Sequence, residues 1–134
     1  MIMADQTIHT IKVQLLQRGS NQVQTTVTEF EKQFNVSEKA FISTRVKQAD
    51  NLKTISFDPV EAPLYLLIQG KHLVDNLSTG AKAGDLAPFT ARVNGSVEDL
   101  DGSEGFLIAA GNYSGLQVST SIEEDIEISI YIAG

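Results

Sequence analysis

The segment "SIEEDIEISIYIAG" at the end of the chain constrains the fold more than any other. Isoleucine occupies the even positions of Ile126–Ile132, and Glu127, Ser129 and Tyr131 fill the odd ones. This period of two predicts a β-strand with one buried face. An unpaired edge of alternating isoleucines would invite aggregation, so we expect the strand to be covered. The first strand of the chain and another subunit are both candidates, and the sequence does not choose between them.

Most of the remaining chain also has the pattern of short strands. The segment "TIHTIKVQLLQ" alternates up to the turn residues "RGSN". Residues 22–34 are ambiguous, because their apolar residues fit a helical spacing while their threonines favour a strand. We predict a strand over Gln22–Phe30 with room for a helical turn after it. The alternative is a helix over Gln22–Phe34, which would make the fold α+β. Two wholly apolar runs, Leu64–Ile68 and Phe106–Ala110, predict inner strands, and His72–Asp75 predicts a short strand that opens a long glycine-containing loop.

The count of predicted strands sets the fold class. Eight to ten strands separated by turn signals, with no strong amphipathic helix, predict an all-β protein. We expect a jelly roll or a related Greek-key β-sandwich, with room for one short helix. A length of 134 residues suits one domain, here residues 7–134, preceded by a flexible arm of residues 1–6.

Charge is unevenly distributed along the sequence. The net charge is −7, yet residues 93–134 contain eight acids and no basic residue. Nucleic-acid binding depends on clustered lysine and arginine, so we expect no nucleic-acid partner. No apolar stretch approaches the length that crosses a bilayer, so we expect no membrane partner either.

The sequence contains few groups that could perform chemistry. The chain has no cysteine, and its two histidines, His9 and His72, lie far apart without metal-ligand spacing. The acidic stretch "EDLDGSEG" departs from the calcium-loop pattern and is typical of a solvated turn. Phosphate-binding loops and nucleophile motifs are absent from the sequence. We therefore predict a protein that is not an enzyme and has neither cofactor nor metal.

Six residues are nevertheless candidates for contact with other molecules. Tyr131 is predicted to lie opposite the isoleucines, where an amphipathic ring favours an interface. The acidic triplet Glu123–Asp125 comes directly before this strand, and we place Glu123, Glu124 and Asp125 at the same interface. Tyr113 and Asp101 are the candidate contacts of an alternative function, a carbohydrate- or ligand-binding β-sandwich module.

The stretches "GKHLVDNLSTGAKAGDLAPF" and "SGLQVSTSIEEDIEISIYIAG" resemble small all-β virion proteins of tailed bacteriophages, notably capsid-cement or decoration subunits. This resemblance implies a structural protein that forms a homodimer or homotrimer and binds neighbouring capsid subunits. It also implies a location in the virion after synthesis in the host cytoplasm. A head-to-tail connector or a tail component would share the same features.

Overall fold

The computed structural model describes residues 7–134, so the predicted arm of residues 1–6 lies outside the described residues. The structure is built almost entirely of antiparallel strands. The strands are β1 (Thr7–Arg18), β2 (Gln24–Val36), β3 (Lys39–Val46), β4 (Lys53–Ile55), β5 (Tyr65–His72), β6 (Phe89–Val93), β7 (Leu100–Gly102), β8 (Phe106–Ala110), β9 (Leu116–Ser119) and β10 (Ile126–Ala133). A single 3₁₀ turn occupies Gln48–Asp50. The predicted all-β class is confirmed.

The chain divides into two compact units, of which the first ends at Ser37 and the second is Glu38–Gly134. The first unit contains a two-stranded hairpin, in which β1 pairs with β2. The second unit contains two four-stranded sheets. We expected the strands of residues 7–36 to belong to one sandwich with the rest of the chain, whereas they form a separate sheet.

The two sheets of the second unit have the strand orders β3-β10-β5-β8 and β4-β9-β6-β7. Counted within this unit alone, the eight strands therefore lie in the orders 1-8-3-6 and 2-7-4-5. This is the jelly-roll arrangement of two interleaved Greek keys. The buried core contains residues of both sheets, which pack face to face.

The terminal strand β10 lies inside its sheet, where β3 pairs along one edge and β5 along the other. Ile126, Ile128, Ile130 and Ile132 are at most 1% exposed, as the alternation predicts. Neither of the two expected covers is present. The strand is covered by β3 and β5 of its own chain, because the jelly roll places its last strand between its first and third.

The two apolar runs have different positions. Tyr65–His72 is an inner strand, as predicted, and Leu66 and Ile68 are fully buried. The prediction for Phe106–Ala110 is wrong, because β8 is the last strand of its sheet. Along β8 the side chains alternate between exposed and partly buried. Both faces of the strand are therefore apolar, although one of them is exposed to solvent.

The ambiguous segment is one strand throughout. β2 continues from Gln24 to Val36, and the helical turn expected after Phe30 is absent. A spacing of four residues also equals two periods of a strand, so Phe30 and Phe34 share one face of β2. The short strand expected at His72–Asp75 is also not formed, since β5 ends at His72 and the loop then makes only isolated bridges.

Candidate functional site

The hairpin has two faces of different chemistry. Directly opposed residues of an antiparallel pair share a face, and Val13 lies opposite Phe30 while His9 lies opposite Phe34. We call this the hairpin face. Its side chains are those of His9, Ile11, Val13, Leu15, Thr28, Phe30, Lys32 and Phe34.

The opposite face of the hairpin is mostly polar, although Ile8, opposite Asn35, also lies on it and is 60% exposed. The Lys12 ammonium lies 2.9 Å from the Glu29 carboxylate, and the Gln14 side-chain amide donates a hydrogen bond of 3.0 Å to the same carboxylate. The hydrogen bond that Lys12 donates, together with the positive charge of Lys12, holds the pKa of Glu29 below its usual value. The same contact with Glu29 raises the pKa of Lys12. This face is suited to water.

The hairpin face is open over much of its length. Phe30 is 60% exposed and Leu15 is 53% exposed. The bulge beside Leu15 and Leu16 leaves Val27 without a cross-strand partner, and Val27 is 53% exposed. An isolated two-stranded ribbon is marginal in water unless its apolar face packs on something. Exposed apolar surfaces of this kind are typical of interaction surfaces.

A second exposed apolar feature lies on the outer face of the sheet β3-β10-β5-β8. Tyr131 is directly opposite Phe41 on one side and Leu67 on the other, and Leu67 is opposite Ile108. These four side chains form a continuous line across all four strands, which we call the aromatic row. The rings of Phe41 and Tyr131 are 4.7 Å apart between centroids.

The aromatic row is accessible and has polar neighbours. Phe41, Tyr131 and Ile108 are between 45% and 57% exposed. The adjacent row of the same face contains Ser43, Ser129, Gln69 and Phe106, and the row beyond it contains Arg45, Glu127 and Lys71. A contiguous apolar patch bordered by polar residues is typical of a contact surface for another protein.

Tyr131 occupies the predicted position opposite the buried isoleucines, and it is 45% exposed. The acidic triplet lies in the loop between β9 and β10. Glu123 and Glu124 border a polar depression of about 310 Å³ whose other lining residues come from this loop and the β5–β6 loop. Asp125 is not among the lining residues of this depression.

Tyr113 and Asp101 also lie apart. Tyr113 packs partly against the core, and burial raises the pKa of its phenol. The Asp101 carboxylate is exposed and accepts a hydrogen bond of 2.8 Å from the Ser103 amide, which lowers its pKa. Asp101 lies beside Thr90, near the start of β6, with which it pairs. Tyr113 lies near the other end of β6, because the carbonyl of its neighbour Asn112 accepts a hydrogen bond from the Asn94 side-chain amide. Thr90 and Asn94 are four residues apart, or about 13 Å along a strand.

The two histidines are separated as well. His9 lies in β1 on the hairpin face, and His72 is buried at the end of β5. Within residues 7–134, no group of three or more histidine, aspartate and glutamate side chains is placed to hold a metal ion. In the same described part of the chain, no helix is long and apolar enough to cross a membrane.

Sequence reasoning missed the hairpin face and Phe41. The signal for Phe41 was present, because "KAFISTRV" places Phe41 in the same alternating positions as Ser43 and Arg45. The hairpin face was hidden by the mixed period of residues 22–34. The pairing of β2 with β1 forms this face, and local sequence patterns do not indicate which strands pair.

The fold and these surfaces define a jelly-roll sandwich with an accompanying amphipathic hairpin and two exposed apolar β-surfaces. The chain matches no protein-family model, no curated protein and no solved structure.

Proposed function

We propose that this protein is a non-enzymatic structural subunit that associates with further copies of itself within a larger protein assembly. The observation that carries the proposal is the hairpin face. It is long and largely apolar, its residues Leu15 and Phe30 are more than half exposed, and an isolated ribbon of this kind is poorly stable in water. Burial of the hairpin face against a partner would stabilise the ribbon, and the hairpin would then be the segment that attaches one subunit to the next.

The aromatic row supports the same function, because a second flat apolar surface on the sandwich provides another place for a protein to bind. The finer assignment is to the capsid-cement or decoration proteins of tailed bacteriophages, and it rests on the sequence resemblance. If it is correct, the purified protein should pellet with capsid shells, and a variant with a charged hairpin face should stay in the supernatant.

Self-association is tested by light scattering after size exclusion over a wide range of concentrations. We expect the parent protein to be a dimer or trimer that persists on dilution. Phe30→Glu places a charge on the hairpin face and should shift the protein to monomer. Gln33→Glu is the matched control, because it adds the same charge to the polar face, where Gln33 lies opposite Thr10.

Circular dichroism of each variant checks that the strands are retained. A parent protein that is monomeric at every concentration would refute self-association. Equal effects of Phe30→Glu and Gln33→Glu on the oligomer mass would instead mean that the hairpin face is not where the copies meet.

A further inference from the structure

The aromatic row lies wholly within the second unit, on strands that do not pair with the hairpin. We propose that it packs on the aromatic row of a second copy, about a two-fold axis that runs parallel to the strands and passes between β10 and β5. This inference rests on the proposed self-association and adds a second, weaker contact between copies. It follows from the order of the side chains along two rows of the face and from the area of the sheet.

A two-fold axis in this position exchanges the strands of the sheet in pairs. Faces of two antiparallel sheets pack about 10 Å apart with their strands nearly aligned. Because the strand order is β3-β10-β5-β8, the axis places β10 over β5 of the second copy and β3 over its β8. Each row of one copy then meets the same row of the other, since the axis leaves positions along the strands unchanged.

The aromatic row has two halves that complement each other under this axis. Phe41 and Tyr131 form an aromatic half on β3 and β10, whereas Leu67 and Ile108 form an aliphatic half on β5 and β8. The axis places Tyr131 over Leu67 of the second copy, and Phe41 over its Ile108. Each pair of rings therefore packs on branched aliphatic side chains, and both halves of both rows are buried.

The charged row at one end of the face has the same complementary order. Glu127 lies on β10, and Lys71 lies directly opposite it on β5, so the axis places each Glu127 over Lys71 of the second copy. The Ser129 hydroxyl donates a hydrogen bond of 3.3 Å to the Glu127 carboxylate and holds it on this face. Within residues 7–134, neither Glu127 nor Lys71 forms an ion pair. Two ion pairs between copies can therefore form without breaking one within a copy.

The crossing angle of the two sheets permits these ion pairs. Aligned sheets cross at about 30°. The charged row lies about 14 Å from the aromatic row along the strands, so the crossing displaces the facing residues sideways by about 7 Å. The long side chains of lysine and glutamate span this offset.

The other charges of the face favour this axis over a perpendicular one. Lys39 and Arg45 lie on the outermost strand β3, and the parallel axis places them over β8, whose residues Phe106–Ala110 are uncharged. A two-fold axis perpendicular to the strands and centred on the face would instead reverse the order of the rows. Lys39 would then face Arg45 of the second copy, and the aromatic row would face the mostly polar row beside it.

The area of the face sets the strength of the contact. β3, β10 and β5 have eight residues each and β8 has five. Standard strand dimensions give this face about 470 Å², so two copies bury about 940 Å² together. That area exceeds most crystal contacts and falls in the range of weak, transient interfaces. We therefore expect a reversible dimer that dissociates on dilution, unlike the association through the hairpin face.

The contact can be isolated in full-length Phe30→Glu, in which association through the hairpin face is removed. Sedimentation velocity up to the highest soluble concentration should show a monomer–dimer equilibrium. Addition of Tyr131→Glu should weaken this dimer roughly tenfold or more, as the loss of a central aromatic anchor does. If the parent protein associates but Phe30→Glu is monomeric at every concentration, the inference is overturned and the proposed function is not. An undiminished dimer with Tyr131→Glu would also overturn it.

Charge reversal at Glu127 and Lys71 tests the two-fold axis itself. In the same background, Glu127→Lys opposes two ammonium groups across the axis, and Lys71→Glu opposes two carboxylates. Each variant alone should dimerise roughly tenfold more weakly or worse. An equimolar mixture of the two should recover dimerisation, because each heterodimer has opposite charges at both positions. The double variant Glu127→Lys/Lys71→Glu should recover it for the same reason.

Glu98→Lys is the matched control, because it makes the same charge change at an exposed residue between β6 and β7 of the other sheet. Repulsion within one copy can lower the stability of either single variant, but it cannot produce recovery in the mixture. A mixture without recovery, or an equal loss with Glu98→Lys, would overturn the two-fold arrangement while leaving self-association intact. Monomers at every concentration for both the parent protein and Phe30→Glu would refute the inference and the proposed function together.

Discussion

Replacement of Ile130 by alanine should be among the most destabilising single changes in the sandwich. Ile130 is fully buried and lies between Ile42 of β3 and Ile68 of β5. The change removes three carbon atoms, which corresponds to about 2.4 kcal/mol of lost transfer free energy at about 0.8 kcal/mol for each. The cavity that remains adds to this loss, so we expect the free energy of unfolding to fall by about 3 to 4 kcal/mol.

Ile108→Ala is the matched control on the same sheet. Ile108 is 46% exposed on the outer face of β8, so about half of the transfer term is already absent in the folded protein. The replacement also leaves no closed cavity, because one side of the residue faces solvent. We expect a cost of about 1 kcal/mol.

Urea unfolding followed by far-ultraviolet circular dichroism measures both costs. The measurement is made at several protein concentrations, because association would otherwise contribute to the apparent stability. Equal costs for Ile130→Ala and Ile108→Ala would refute the assignment of opposite faces. A cost below about 1 kcal/mol for Ile130→Ala would mean that β10 is not an inner strand.

Three further changes test other parts of the structure. Gly70→Ala places a methyl group 2.5 Å from the Ala87 carbonyl oxygen, so we expect a lower midpoint of urea unfolding. Asn94→Gly keeps the positive φ of 55° but removes the side chain that binds Asn112 and Ser114, so a loss of about 1 to 3 kcal/mol in urea unfolding is expected. Burial raises the pKa of Tyr65 and Tyr113, and their neutral phenols therefore stabilise the fold. This contribution is complete below the unfolded pKa near 10 and is lost as the pH rises above it, so each Tyr→Phe variant should lose less stability with rising pH above about 10 than the parent protein.

Much of the sandwich could be predicted from local patterns. The alternation from Ile126 to Ile132 identifies both the strand and its buried face, and the run at Leu64–Ile68 identifies an inner strand. Both predictions depend only on the side-chain period of a strand, which neighbouring residues specify. The order of the strands could not be predicted in this way, because β10 pairs with residues 39–46 and 65–72, which are far away in the sequence.

The candidate site was less accessible to prediction. The exposure of Tyr131 follows from parity with the isoleucines, but its partner Phe41 lies ninety residues earlier and meets it only through the register of β3 with β10. Tyr113 follows a turn signal, a position typical of exposed residues, whereas it packs partly against the core. A turn signal specifies the backbone conformation and does not specify what lies above the side chain.

The wrong predictions for β2 and β8 concern segments that have apolar residues on exposed faces. Both β2 and β8 contain apolar residues on faces that the folded chain leaves exposed, namely Phe30 on β2, and Phe106 and Ile108 on β8. Pattern reasoning assumes that apolar residues are buried, so it is least reliable for segments whose apolar residues the folded chain leaves exposed. Tyr131 lies on the same outer sheet face as Ile108, in the position where a strand of this kind normally presents a polar side chain. Local patterns and the fold therefore disagree at the hairpin face and at the outer face of the β3-β10-β5-β8 sheet, and these are the two surfaces on which the proposed function rests.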